Sequence, residues 1–153
     1  MAGLEHKIPP PVIGLICAAG MYAAAQYTPT IDMTPLWKWL LVSAFALTGL
    51  ALDFSGLLAF LRRHTTINPL RPEKSTALVT GGIYQLTRNP MYLGMACLLL
   101  ALALYLQSPV ALLGVPAFMA YITHFQIKPE ERVLEKLFGD EFKHYITRVR
   151  RWL

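Results

Sequence analysis

RNPMYLGMACLLLALALYLQSPVALLGVPAFMAYITHFQIKPEE, residues 88–131, is the stretch that decides the fold. Between Arg88 and Lys128 it contains no Asp, Glu, Lys or Arg, and Ser108-Pro109 divides it near the middle. A helix crosses the hydrocarbon core of a bilayer with about 20 apolar residues, within a range of roughly 17–25. The two halves, 91–107 and 110–127, each meet that length. The turn between them is too short for anything but an antiparallel helical hairpin. Pro116 inside the second half predicts a kink that neighbouring helices can tolerate.

Working outward, two earlier runs have the same character. One extends over 11–27 and is rich in Ala, Gly and Ile; the other covers 36–61 and is stopped by Arg62, Arg63 and His64. Only 15% of the 153 residues are charged and 55% are hydrophobic, whereas a soluble domain carries about 25% charged residues. The expected fold is an all-α integral membrane protein with about four transmembrane helices, forming one domain over 1–153. The formal charge of +5 would suit nucleic acid, but the basic residues lie between the apolar runs. Twelve of the 14 fall in 62–88 (Arg62, Arg63, Arg71, Lys74, Arg88) and in the tail (Lys128, Arg132, Lys136, Lys143, Arg148, Arg150, Arg151). The positive-inside rule accounts for that pattern and puts both termini and the central loop in the cytoplasm. Trp37 and Trp39 suit the opposite interface. The weak basic flank before residue 11 favours an uncleaved first span over a signal peptide. Cys17 and Cys97 sit in apolar runs as small hydrophobes, and no spacing of metal ligands is present.

The segments outside the spans are structured. Asn68-Pro69, Arg71-Pro72 and Gly81-Gly82 punctuate the central loop with turns, and Ala77-Leu78-Val79-Thr80 is apolar enough to lie on the bundle or the membrane surface. Pro129 suits the first turn of a new helix, with Glu130 and Glu131 favourable near its N-terminus. Val133, Leu134, Leu137 and Phe138 mark an apolar face, and Gly139 is placed to end that helix. Asp140 can cap a second one carrying Phe142, Tyr145, Ile146 and Val149. The tail is therefore expected to form amphipathic helices at the cytoplasmic interface.

Two polar clusters remain: residues 81–94, with Tyr84, Arg88, Asn89 and Tyr92, and Glu130-Glu131-Arg132. Taken singly, each also fits routine interfacial anchoring or helix capping. The hairpin, however, returns the end of the fourth span to the start of the third. A cation, two carboxylates, an amide and aromatic rings then converge at one rim. Tyr121, His124, Lys128 and Glu131 are expected on one face of a continued helix. No strand–GxGxxG–helix unit is present, so a nucleotide-like cofactor would not be held in Rossmann fashion. Asp53, about 13 Å from the cytoplasmic end of the second span by helical rise, faces either a functional or a structural partner in the bundle.

From about Asp53 to Leu153 the chain resembles the isoprenylcysteine carboxyl methyltransferase and phospholipid methyltransferase group of membrane enzymes. The resemblance rests on Thr66-Ile67-Asn68-Pro69, Leu78 to Tyr84, Arg88-Asn89-Pro90-Met91-Tyr92-Leu93-Gly94, Glu130-Glu131, and Leu137 to Phe142 with Tyr145, Arg148 and Val149. Asn89 stands where the group commonly has His, and Phe142 replaces a Tyr. Asn cannot titrate near neutral pH, which leaves that position a role in cofactor placement. The resemblance implies an S-adenosylmethionine-dependent methyltransferase acting on a membrane-embedded or lipid-like, amphiphilic acceptor. It implies cofactor contacts from Tyr84, Arg88, Asn89, Tyr92, Gly94, Glu130 and Glu131, with Glu131, Arg148 and Tyr145 as candidates for orienting the acceptor. Gly94 would let the ligand or a neighbouring helix approach the backbone closely. Two alternatives compete. NADPH-dependent sterol-type membrane reductases share a similar R-H-P-x-Y stretch, and a non-enzymatic helical membrane protein would show more polar residues at mid-span.

Overall fold

Proline and glycine set the boundaries of the elements. The structure, a computed structural model, describes residues 8–62 and 77–153. In it α1 spans Pro10–Gln26, α2 Pro35–Arg62, α3 Pro90–Leu106, α4 Gly114–Ile122 and α5 Lys128–Arg148. Short 3-10 turns occupy Gly82–Gln85 and Ala111–Leu113, and a π turn occupies Thr123–Ile127. No strand occurs among the described residues. α1 and α3 both begin with proline, whose fixed φ and missing N–H suit a first turn. α3 ends at Gln107, the one described non-glycine residue with positive φ (53°), and there Ser108 takes over by accepting the Ala111 N–H at 3.3 Å.

The first three apolar runs thus become helices close to their expected bounds; the fourth, expected over 110–127, is a 3-10 turn, the nine-residue α4 and a π turn, and it forms the hairpin with α3. Three details differ. Pro116 does not kink the middle of a helix: a 3-10 turn precedes it, and it lies in the first turn of α4, where its missing N–H leaves no interior bond unmade. No new helix starts at Pro129, because α4 continues into α5 through the π turn. Pro129 cannot donate to Phe125 and its ring would crowd that carbonyl; the wider turn, closed by Lys128 N–H to Thr123 O, relieves both problems. The inserted residue also rotates everything beyond it. Tyr121 and His124 pack on Phe125, with ring centroids 4.7 and 4.8 Å away, while Lys128 and Glu131 turn toward a cleft that neither of the first two lines. The single face expected for those four residues is therefore split.

The helices run alternately up and down. At one end Gln126 Nε2 donates to Ile8 O (2.8 Å) and Arg88 N to Arg150 O (3.0 Å). At the other, the hydroxyls of Thr28 and Ser108 meet at 3.1 Å, Ile31 N donates to Gln107 O (2.8 Å), and Lys38 Nζ donates to Gln107 Oε1 (3.1 Å) while lying over the Tyr105 ring. The core lies among α1, α3 and α4, centred on Phe118, Ile122 and Ile127. α2 is an outer helix: its only buried residues are Gly49 and Gly56, and Leu36, Trp37, Leu47, Phe54 and Leu58 are exposed.

α2 meets α3 through glycine. A Cβ at Gly49 would stand 2.8 Å from Gly94 O, and one at Gly94 would stand 2.7 Å from Gly49 O and against the Asp53 carboxyl. Such contact lets backbones approach as only small residues allow. α2 is the one described helix long and apolar enough, by length and composition, to cross a membrane; α1 and α3 are apolar and 17 residues each. Arg63, His64, Thr66 to Pro69, Arg71 and Lys74 lie outside the described residues.

Candidate functional site

At the end of the bundle that holds Ile8 and Arg88, three pieces of chain converge: the segment leading into α3, the start of α5, and an extended strap after α5. Gly82, at φ 63°, opens the 3-10 turn that carries Tyr84. Tyr84 is buried, its ring edge-on to Phe60 of α2 (5.6 Å), and its carbonyl accepts the Tyr145 hydroxyl at 2.6 Å. Burial pushes both phenols up, so at neutral pH Tyr145 is a donor.

Glu130 and Glu131 are neighbours with opposite surroundings. Glu130 Oε1 accepts the Tyr92 hydroxyl at 2.7 Å, joining the first turn of α5 to the first turn of α3. Burial raises its carboxyl to about 8; the Tyr92 hydrogen bond opposes the rise, and the Glu131 charge adds to it. Glu131 is held by two arginines. Arg151 grips both oxygens, Nε to Oε1 at 3.0 Å and the terminal nitrogen to Oε2 at 2.7 Å, while Arg88 reaches Oε1 at 3.2 Å. Two-pronged charge-assisted geometry of this kind is among the stronger polar contacts in proteins. Burial lowers the Arg88 pKa, Glu131 opposing it, and its Nε, buried, has no hydrogen-bond partner. An unmet buried donor costs about 1–3 kcal/mol, more when charged.

The remaining expected residues fall as follows. The Asn89 side chain, instead of capping α3, donates to Arg151 O at 2.9 Å, while its own N–H is met by Thr87 Oγ1 at 3.2 Å. Gly94 is taken up by the helix contact with Gly49 and Asp53, so of the two partners open to it the neighbouring helix is the one present. Asp53 has a buried Oδ1 without a hydrogen-bond partner. Arg148 does not join the cluster; it is exposed, with its guanidinium against the His144 ring. Val79 is buried, so the run 77–80 lies on the bundle. Gly139, with φ 51° and ψ −121°, breaks α5 into two helical pieces, as its position after Phe138 leads one to expect. A cleft of about 320 Å³ opens beside Glu131, lined among others by Arg88, Lys128, Arg132, Phe142 and Arg151.

Sequence reasoning missed Arg151. It stands in the run Arg148-Val149-Arg150-Arg151, where basic residues carry a topological signal that conceals an individual role. No group of His, Cys, Asp or Glu among the described residues is arranged to hold a metal ion.

The described residues thus form an up-and-down helical bundle with an apolar outer helix and a polar cluster of both charges at one end. The phospholipid methyltransferase family matches residues 37–141, and the chain belongs to that family, a family of membrane methyltransferases. It is 30% identical over 115 residues to protein-S-isoprenylcysteine O-methyltransferase B of Arabidopsis thaliana, which covers 71% of this chain and 57% of that protein. It is also 49% identical over 63 residues to an uncharacterized protein of Haemophilus influenzae, across 41% of this chain and the whole of the other. The chain therefore spans little more than half the length of the Arabidopsis relative.

Proposed function

We infer that this chain is an S-adenosylmethionine-dependent methyltransferase of a lipid-like acceptor, folded as one domain that crosses the membrane four times with both termini cytoplasmic. The observation that carries the reading is the convergence of Tyr84, Arg88, Asn89, Tyr92, Glu130 and Glu131 at one end of the bundle in a chain of this family. The topology is supported by the alternating helices and by apolar segments of 17 residues, about 26 Å long by helical rise, together with the exposed apolar surface of α2.

The donor set fits the cofactor. Glu130 is a carboxyl raised by burial that accepts the Tyr92 hydroxyl, and an arriving cation would favour its charged form. The unmet Arg88 Nε–H suits an anionic group. S-adenosylmethionine carries both kinds of charge and supplies a methyl group on a sulfonium. In-line displacement of that kind asks the protein mainly for alignment of donor and acceptor. Here Tyr92 and Glu130 tie α3 to α5 and so fix the distance between the two halves of the site. The Tyr84 and Tyr92 rings are buried beside the cluster and help to keep water from it. Tyr145, committed to the Tyr84 carbonyl, holds the 3-10 turn against α5 and has no free base to offer.

Calorimetric titration of detergent-purified protein with S-adenosylhomocysteine, and separately with NADPH, tests the reading. Saturable binding of the first alone is expected; binding of NADPH alone would replace it with the reductase reading. Glu131→Gln and Arg88→Ala are each expected to weaken S-adenosylhomocysteine binding about tenfold, as loss of one partner in a charged pair implies, while the protein stays membrane-inserted.

A further inference from the structure

The last turn of α5 gives way at Val149, which is buried and extended (φ −120°, ψ 130°), and the chain then lies across the site. Arg150 O accepts the Arg88 N–H at 3.0 Å, as one strand would from another. Arg151 O accepts from Asn89 Nδ2 at 2.9 Å and from Thr87 Oγ1 at 3.3 Å. The Arg151 side chain turns the other way and holds both oxygens of Glu131. Trp152 Nε1 donates to Thr123 Oγ1 at 3.1 Å, and that hydroxyl donates in turn to Met119 O at 2.6 Å, so the strap is anchored at the π turn. Its contacts reach three separate elements: the segment 87–89, the start of α5 and the start of the π turn.

These residues lie beyond the segment matched by the family, which ends at residue 141. They are nevertheless bonded to Arg88, Asn89 and Glu131, three residues on which the proposed function depends. Arg88 pairs with Glu131 between the segment 87–89 and α5, and Arg151 doubles that contact from the far side. A glutamate held by one arginine can swing about that contact; one held at both oxygens by a planar fork has its plane fixed.

We propose that residues 149–152 are a positioning strap for the cofactor site, in which Arg151 is the positioning residue that fixes Glu131 and the strap's backbone carbonyls fix Arg88 and Asn89. The proposal rests on the methyltransferase reading for its ligand and on geometry alone for the strap. Arg151 touches the residues that contact the ligand and acts through them. Trp152 is the pin, placed where the helix is already widened and the Thr123 hydroxyl is available. Because the chain leaves α5 through Gly139 and Val149, both non-helical, the strap's register depends on the break at Gly139 as well as on its own bonds.

The test is a double-mutant cycle on the full-length, detergent-purified protein, read by S-adenosylhomocysteine affinity. Arg151→Gln is expected to weaken binding about tenfold, a loss on the scale of one charged hydrogen-bonded partner. Arg151→Lys, which keeps the charge and loses the fork, should recover only part of it. In the Arg151→Gln background, Glu131→Gln should add little further loss, since neighbours acting as one unit are non-additive. Full additivity, or wild-type affinity in Arg151→Gln, overturns the proposal. Hydrogen exchange of the Arg88 amide supplies a readout that needs no ligand: Trp152→Phe, which removes one donor and keeps the ring, should speed it. Unchanged exchange there overturns the strap even if the cofactor binds. Absent binding of S-adenosylhomocysteine by wild type, with faster exchange in Trp152→Phe, would instead overturn the methyltransferase reading and leave the strap standing.

Discussion

Tyr92 donates its hydroxyl to Glu130 across 38 residues of sequence, at 2.7 Å, and what shifts the Glu130 carboxyl is burial, that bond and the Glu131 charge. The neighbouring carboxylate, Glu131, is held by two arginines. Adjacent acids in one helical turn thus face opposite electrostatic conditions, and the difference can be measured.

Because burial raises the Glu130 carboxyl from an ordinary value to about 8, the folded protein holds a proton there that the unfolded chain would release. The associated stability is fully present below the ordinary carboxylate range and is lost as pH rises through about 8. A ligand's ammonium group beside Glu130 reverses the preference, so its binding at pH 7 releases a proton. Titration with S-adenosylhomocysteine at pH 7 in two buffers of different ionisation enthalpy should show that release in wild type and its loss in Glu130→Gln. Tyr92→Phe, which removes the bond that opposes the rise, should move the transition to higher pH.

Gly94→Ala would press a methyl group on the Gly49 carbonyl at 2.7 Å and on the Asp53 carboxyl. Backbone cannot yield as a flexible side chain does, and overpacking of this kind costs about 1–3 kcal/mol. Thermal unfolding in detergent should show a lower midpoint for Gly94→Ala. Gly20→Ala, where nothing stands within 4 Å of the added atom, should leave the midpoint unchanged or raise it.

Gly139 adopts φ 51° and ψ −121°, and an added Cβ there would meet nothing within 4 Å. Gly139→Ala therefore acts through backbone strain alone, at about 1–3 kcal/mol for a side chain held in so sparsely populated a region. If α5 straightens to relieve it, Tyr145 leaves the Tyr84 carbonyl; weaker S-adenosylhomocysteine binding than in wild type, with helix content retained by circular dichroism, is the expected outcome.

Topology has its own check. Reporter fusions after Leu153 and within 28–34 should report opposite sides of the membrane, the first cytoplasmic. A shared side would contradict the alternating spans.

The hairpin was legible because Pro90 and Ser108-Pro109 bracket apolar runs of spanning length, and those signals are local. The convergence of Arg88 with Glu131 was legible once the hairpin was assumed, since it needs only that two ends meet. The π turn was not. Thr123 to Ile127 look like any helical residues, and only the steric demand of Pro129 four residues after Phe125 hints at a widened turn. The site roles diverged for similar reasons: Arg148 and Arg151 are indistinguishable by type, and which one reaches Glu131 depends on where the chain bends after Val149. Asn89 is a suitable cap by composition, yet its amide is drawn away by a carbonyl 62 residues later.

The unbroken passage from α4 through the π turn into α5 makes a single lever of the chain from Gly114 to Phe138. Its lower arm sits among apolar helices and its upper arm carries Glu130 and Glu131. A membrane that thins or thickens changes the tilt of spanning helices at modest energetic cost, and on the proposed topology such a tilt would reach the two acids as displacement. The lipid surroundings would then act, by this route, as a setting on the end that carries Glu130 and Glu131.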